Sequence, residues 1–315
     1  MTVSLDPQAQ KVLDLGRLAH EPPFETGTPE EARRAYENGF PELQGKREVV
    51  ASVSERTIVG PVGPLTLRLY RGQGAPDANA PSLLYLHGGG WVIGNLDSHD
   101  EICRWFANMA NCVVVSPDYR LAPEHKFPAA VEDCEAALSY IRDAADDLGI
   151  NARRIAVAGD SAGGNLAAVL ALLARGDPHR LTAQLLFYPN TDASQAADSY
   201  RRFGEGFGLT APTMAWFRDH YVRGAADIDD WRVSPLKAGG LAGAAPAFIA
   251  IAGHDILADE GEAYAQRLEA DGVPVALRRW QGQIHGFVSM GRHGPASRQA
   301  VEAAVAAWRK FDLAF

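Results

Sequence analysis

The chain is short of cysteine, of long apolar runs and of basic charge, and each shortage removes a class of protein. Three cysteines, Cys103, Cys112 and Cys134, are too few for a disulfide scaffold, and the odd count leaves one unpaired. Such usage fits a reducing compartment, and a cytoplasmic location is expected. No stretch of roughly 18 apolar residues occurs, so no membrane insertion is expected. The densest apolar region, Leu166–Ala174, is much shorter. Met1–Gly16 mixes apolar with polar residues and has no apolar core of the kind a secretory signal needs. Against 39 Asp and Glu stand only 30 Lys and Arg, giving a net charge of −9. That balance repels phosphate backbones and argues against a nucleic-acid partner. There is no His-Glu-x-x-His run and no cysteine cluster, so neither a metal site nor a cofactor is expected. Repeats and low-complexity linkers are absent too.

What remains is an ordinary globular composition, 47% hydrophobic and 22% charged over 315 residues. Short, continuous apolar runs occur at Leu83–Leu86, Cys112–Ser116, Ile155–Ala158, Gln184–Tyr188, Ala247–Ala252 and Val275–Arg279. Continuous apolarity is what strands covered on both faces require. Between and after them lie segments of helical period: Asp100–Ala110, Pro128–Ala145, Ala162–Ala174, Glu260–Ala270 and Ala296–Phe311. Strand–helix alternation predicts an α/β protein with a mostly parallel central sheet and helices on both faces. Upstream, β-branched residues from Arg47 to Arg71, with a turn at Gly60–Pro64, predict a two-stranded antiparallel ribbon.

Two regions interrupt this rhythm. The first 45 residues predict two helices, Asp6–Leu18 and Pro29–Asn38, around a turn at Glu21-Pro22-Pro23. Between Tyr188 and Ala247 no strand pattern appears, only a helix over Ala211–Val222 with Thr210 as its N-cap and Met214, Phe217 and Tyr221 on one face. So long a non-sheet insertion suggests a lid over an active site. The expected organisation is a catalytic core of residues 46–189 and 236–315, with a mostly helical cap of residues 1–45 and 190–235.

The chemistry-bearing pattern is Gly159-Asp160-Ser161-Ala162-Gly163, between an apolar strand and a helix start. A serine on such a sharp strand-to-helix turn is a nucleophile elbow, although the same string can be a plain Gly-rich β–α turn. The amides of the helix N-terminus favour negative charge beside it. His87-Gly88-Gly89-Gly90-Trp91 follows another buried strand and can gather backbone N–H groups at one point, as a tetrahedral oxyanion requires. No Lys stands in P-loop register, and the Gly-x-Gly-x-x-Gly context is missing. His87 sits on the oxyanion side, where it would order the loop rather than act as base.

A nucleophilic serine needs a base, and the base an orienting carboxylate, following the serine in the order Ser, acid, His. Five histidines lie beyond Ser161. His179 and His220 precede the late strands, and His254 precedes the candidate acid. His285, just past the strand Val275–Arg279, is favoured over His293. Asp255 directly follows the strand Ala247–Ala252, whereas Asp259 is explained by helix-terminal electrostatics alone. Trp91 and Trp216 are candidates for the substrate pocket, and Asp160 could tune the elbow.

Taken together, these motifs resemble the bacterial hormone-sensitive-lipase-like esterases of the α/β-hydrolase fold. The resemblance rests on His87-Gly88-Gly89-Gly90-Trp91, on Asp118-Tyr119-Arg120-Leu121-Ala122-Pro123-Glu124-His125 with Phe127-Pro128-Ala129, and on Gly159-Asp160-Ser161-Ala162-Gly163-Gly164-Asn165. It continues through Asp255, Leu257, Asp259-Glu260 and His285-Gly286-Phe287, in the family's order. It implies a cofactor-independent carboxylesterase acting on a small-molecule ester of short to medium acyl chain. In that scheme Ser161 is the nucleophile, His285 the general base and acid, and Asp255 its partner. The amides of Gly88, Gly89 and Ala162 form the oxyanion hole. Family members are frequently dimers, which makes a homodimer a possible state of this chain. Ile256 and Ala258 depart from the family's Pro and Arg, which predicts a less constrained acid loop. An arylformamidase-like amide hydrolase shares the same loop and elbow, and a non-catalytic ligand receptor is a third option, one that would lack the base.

Overall fold

In the computed structural model, residues 4–19 and 22–312 are described. The predicted ribbon forms from β1 (Ser52–Val59) and β2 (Pro64–Arg71), paired antiparallel across the tight turn between them. It is not a separate ribbon, because β2 also pairs antiparallel with β4 (Val113–Pro117) and so joins the main sheet. The cause is visible along β2, where Leu65, Leu67 and Leu69 are buried while β1 is exposed over nearly its whole length. The remaining strands are β3 (Ala80–Leu86), β5 (Ile150–Asp160), β6 (Gln184–Phe187), β7 (Ala247–His254) and β8 (Val275–Ile284). Their order across the eight-stranded sheet is β1-β2-β4-β3-β5-β6-β7-β8, and from β4 to β8 every pairing is parallel.

The continuous apolar runs are explained by two cores. Along β3, Leu84 and Leu86 enter one cluster and Leu83 and Tyr85 the other, and Ile155 and Val157 alternate with Ala156 and Ala158 in the same way along β5. Successive side chains point to opposite faces, so a strand covered on both sides has no polar positions to spare. Helices Ala129–Asp143, Ala162–Leu173 and Ala258–Ala270 cover the first face; Asp100–Ala110 and Ala296–Asp312 cover the second. Helix Ala162–Leu173 is buried from Ala162 through Leu172, and places the elbow against the centre of the sheet. β8 runs on to Ile284, beyond the predicted Arg279, because an edge strand half open to solvent tolerates Arg278, Arg279 and Gln281 and so loses the apolar signal.

Before the sheet lie helices Pro7–Ala19 and Pro29–Leu43, the second opened by a Thr28–Glu31 capping box. Of the predicted turn, Glu21 lies outside the described residues, and Phe24–Thr26 forms a short 3-10 turn. In the insertion after β6, helix Ala211–Tyr221 starts where Thr210 accepts from the Thr213 amide, and buries Met214, Phe217 and Tyr221. Two shorter helices, Asp198–Phe203 and Ala225–Ile228, had no readable pattern in so polar a stretch. Among the described residues no helix is long and apolar enough to cross a membrane.

Candidate active site

Four segments meet at the carboxyl ends of the parallel strands, where an α/β sheet presents its ligand site. Ser161 follows β5 directly, at φ 54° and ψ −118°, a conformation an L-residue holds only when its surroundings enforce it. Here the enforcement is backbone packing. A Cβ added to Gly163 would lie 2.0 Å from the Leu86 carbonyl oxygen, so helix and strand could not approach this closely with any other residue. Ser161 also donates its amide to the Phe187 carbonyl oxygen at 2.9 Å, tying the elbow to β6.

Beside it, Ser161 Oγ is 2.9 Å from His285 Nε2, and His285 Nδ1 is 2.8 Å from Asp255 Oδ2. Asp255 is buried, and its second oxygen accepts the Leu257 amide at 2.9 Å. The departures at Ile256 and Ala258 do not leave this loop untethered, because the Ile256 carbonyl oxygen also accepts the Ser199 hydroxyl at 2.6 Å. The rival residues lie elsewhere. Asp259 accepts the Ser199 amide and pairs with Arg202, His293 contacts the Glu42 carbonyl oxygen, and His220 faces the Trp216 carbonyl oxygen within its own helix.

Within the glycine loop the structure corrects one expectation. The Gly88 amide, expected at the oxyanion hole, instead donates to Asp160 Oδ1 at 3.0 Å. The first residue of the loop faces inward to the buried carboxylate, and it is Gly89 and Gly90 that line the pocket with Ser161 and Ala162. His87 is buried and its Nδ1 lies 2.8 Å from the Gly88 carbonyl oxygen, while its ring stacks on Tyr119 with centroids 4.2 Å apart. Burial and the neighbouring His99 push its imidazole down to about 3, so it is neutral near pH 7.

The pocket has a volume of about 180 Å³ and is lined mainly by apolar side chains. Trp91 lines it, with its ring stacked on Tyr221 at 4.2 Å. Trp216 does not; it packs on His220 with centroids 4.3 Å apart. One helical residue is about 100° of rotation, so with Met214 and Phe217 facing the pocket Trp216 turns aside. Phe24, Tyr36 and Leu43 come from the N-terminal segment, and no motif there announced them. Their only sequence signal is an aromatic or Leu side chain in an otherwise charged stretch.

Comparison with known proteins identifies the family. Residues 83–289 match the alpha/beta hydrolase fold family. The chain belongs to that family. This alpha/beta hydrolase is 41% identical to the carboxylic ester hydrolase LipN of Mycobacterium tuberculosis, over 97% of this chain and 83% of the relative. It is 40% identical to the ethyl acetate hydrolase of Pseudomonas putida, over 92% of this chain and 93% of the relative. An ester hydrolase from the metagenome of Lake Arreo superposes with a TM-score of 0.93 at 40% identity, covering 98% of this chain and 99% of that one. The alpha/beta hydrolase described here is a carboxylesterase.

Proposed function

We propose that Ser161, His285 and Asp255 hydrolyse small carboxylic esters through an acyl-enzyme. His285 takes the Ser161 proton as the hydroxyl attacks the ester carbonyl, and returns it to the leaving alcohol. Water then repeats the sequence on the acyl-enzyme. Asp255 holds the imidazole tautomer and offsets the charge of the imidazolium. The amides of Gly89, Gly90 and Ala162 receive the oxyanion, each contributing about 3 kcal/mol to the barrier reduction. The observation that carries this reading is the hydrogen-bonded chain Ser161–His285–Asp255, with distances of 2.9 and 2.8 Å.

The substrate we infer is an ester of short to medium acyl chain. The pocket is smaller than the roughly 300–1,000 Å³ usual for drug-sized ligands, and its lining is apolar. The ethyl acetate hydrolase among the relatives supports the short end of that range. Residues 1–45 and 190–235 are proposed as the cap, supported by Phe24, Tyr36, Leu209, Met214 and Phe217 closing the pocket from those segments. A cytoplasmic location suits three free, buried thiols; cell fractionation tests it, and sedimentation tests the homodimer.

Hydrolysis of p-nitrophenyl acetate, butyrate and decanoate by the wild type beside Ser161→Ala tests the mechanism. The variant is expected to lose at least about 10⁴-fold in kcat with an unchanged melting temperature. Retained turnover in Ser161→Ala would sink the assignment. Faster cleavage of a matched formanilide than of the ester would favour the amide-hydrolase alternative.

A further inference from the structure

Behind the glycine loop lies a buried charged cluster for which the acyl-transfer cycle has no role. Asp160, the residue before the nucleophile, is 4% exposed. Its Oδ1 accepts the Gly88 amide at 3.0 Å and the Tyr85 hydroxyl at 2.9 Å. His99, 1% exposed, brings Nε2 to 3.2 Å from Oδ1 and 3.4 Å from Oδ2. Its Nδ1 lies 2.9 Å from Ser98 Oγ. The Ser98 hydroxyl has its own acceptor, the Asn95 carbonyl oxygen at 2.8 Å, so Nδ1 is the donor in that contact. Nε2 faces the Asp160 carboxylate, and the Gly88 amide also points at it from 3.4 Å, so carboxylate, imidazole and loop amide meet at one point. Burial alone would raise the Asp160 carboxyl, but the adjacent His99 and the Tyr85 hydrogen bond outweigh it and hold the group below its usual range.

The location gives this pair a consequence for catalysis. An uncompensated carboxylate one residue from Ser161 would oppose the charge that develops on the carbonyl oxygen, and the His99 ring, with Nε2 3.2 Å from Asp160 Oδ1, is the group placed to offset it. The pair also holds the loop. A Cβ on Gly88 would meet Asp160 Oδ2 at 2.4 Å, so loop and carboxylate are in direct contact. With its first amide pinned to Asp160, the loop leaves the next two glycines lining the pocket. We propose that Asp160 is the positioning element of the oxyanion hole, pinning Gly88 so that the Gly89 and Gly90 amides keep their aim at the carbonyl oxygen, while His99 offsets the carboxylate behind them. This rests on the Ser161 mechanism proposed above.

The test uses the full-length enzyme with p-nitrophenyl acetate and, as a mimic of the tetrahedral oxyanion, an aryl trifluoromethyl ketone. Asp160→Ala is expected to lower kcat about 100-fold with KM changed less than about threefold, as a misaimed group does. Affinity for the ketone should fall by a similar factor. Asp160→Asn keeps an acceptor for Gly88 and should recover most of the loss. His99→Ala leaves loop and elbow intact but strands the carboxylate, and kcat should drop about tenfold, in keeping with an electrostatic effect on the oxyanion. Combining His99→Ala with Asp160→Asn removes the stranded charge, so the double variant should be faster than His99→Ala alone. A packing role would not produce that reversal. If Asp160→Ala does not fold by circular dichroism, the other three variants decide. An unchanged kcat and ketone affinity in His99→Ala, or a double variant slower than His99→Ala, overturns the proposal. Labelling with a fluorophosphonate and mapping by mass spectrometry separates the two levels. Label at Ser161 with unchanged variants rejects only the positioning role, whereas wild-type label at another residue rejects the Ser161 mechanism itself.

Discussion

The catalytic edge of the sheet and the cap side of the pocket are built by different means. At the edge, each chemical group stands immediately after a strand, and backbone contacts hold it: the Gly163 helix turn against Leu86, the Ser161 amide on Phe187, the Leu257 amide on Asp255. On the cap side none of the described residues is held by strand pairing. Phe24 and Phe217 meet ring to ring at 6.2 Å, and Thr213 donates to Glu25 across 188 residues of chain. Backbone packing leaves almost no tolerance, while side-chain packing can exchange one volume for another. We therefore expect the reaction to depend on the edge and the choice of ester on the cap side.

The comparison breaks most visibly with one added methyl group. Gly163→Ala sets a Cβ against the Leu86 and His87 carbonyl oxygens, neither of which can yield without moving β3. We expect a loss of about 3 kcal/mol in stability and, from the displaced nucleophile, about 100-fold or more in kcat. Denaturant unfolding and p-nitrophenyl acetate kinetics check both. Gly90→Ala is the counterpart facing the cap, where the added Cβ would meet the Phe217 ring at 2.3 Å. Its left-handed φ of 58° costs roughly 1–2 kcal/mol, and the ring can turn away, so the fold should survive, with kcat lowered through the proposed Gly90 oxyanion amide and selectivity altered through Phe217. If the two alanines lose the same stability, the contrast between edge and cap is wrong.

A smaller effect sharpens the cap side alone. Phe217→Ala enlarges the pocket without touching the triad, and should shift preference from acetate towards longer acyl chains by about 10-fold in kcat/KM. A chain-length series reads this directly, and an unchanged profile would remove Phe217 from the specificity surface. The smallest expected effect concerns pH. Arg33 donates to Glu124 and to the Val92 and Ala122 carbonyl oxygens, joining helix Pro29–Leu43 to the core. The hydrogen bond from Arg33 holds the Glu124 carboxyl down at about 2, against an ordinary 4.5. A depressed acid stabilises the fold above pH 4.5, and that contribution fades as pH falls from 4.5 through 2. Glu124 is half exposed, so the contribution stays below about 1 kcal/mol. Melting temperatures at pH 6 and pH 3 should show it in the wild type and not in Arg33→Ala.

Much of the molecule was legible in the sequence for local reasons. An apolar run with no alternation means two covered faces, and six such runs separated by helical periods imply a mostly parallel sheet. The elbow was legible because a sharp strand-to-helix turn demands particular residues at adjacent positions, and the order Ser161, Asp255, His285 follows the ends of β5, β7 and β8. Where the pattern depended on an edge being exposed, as along β8, or on short polar helices, as at Asp198–Phe203, it faded.

Only the tertiary structure decided which amides of the glycine loop are free, because the acceptor of Gly88 is a carboxylate on another strand, 72 residues away. It likewise turned Trp216 aside and brought Tyr36 and Phe24 in, since helix phase and long-range docking are properties of the packed chain and not of any short window. Local backbone rules are written in neighbouring residues, and so the sequence by itself determined the fold and pointed to the groups proposed to react. Pocket walls and second partners are made by residues far apart in the chain, and they exist only once it has closed.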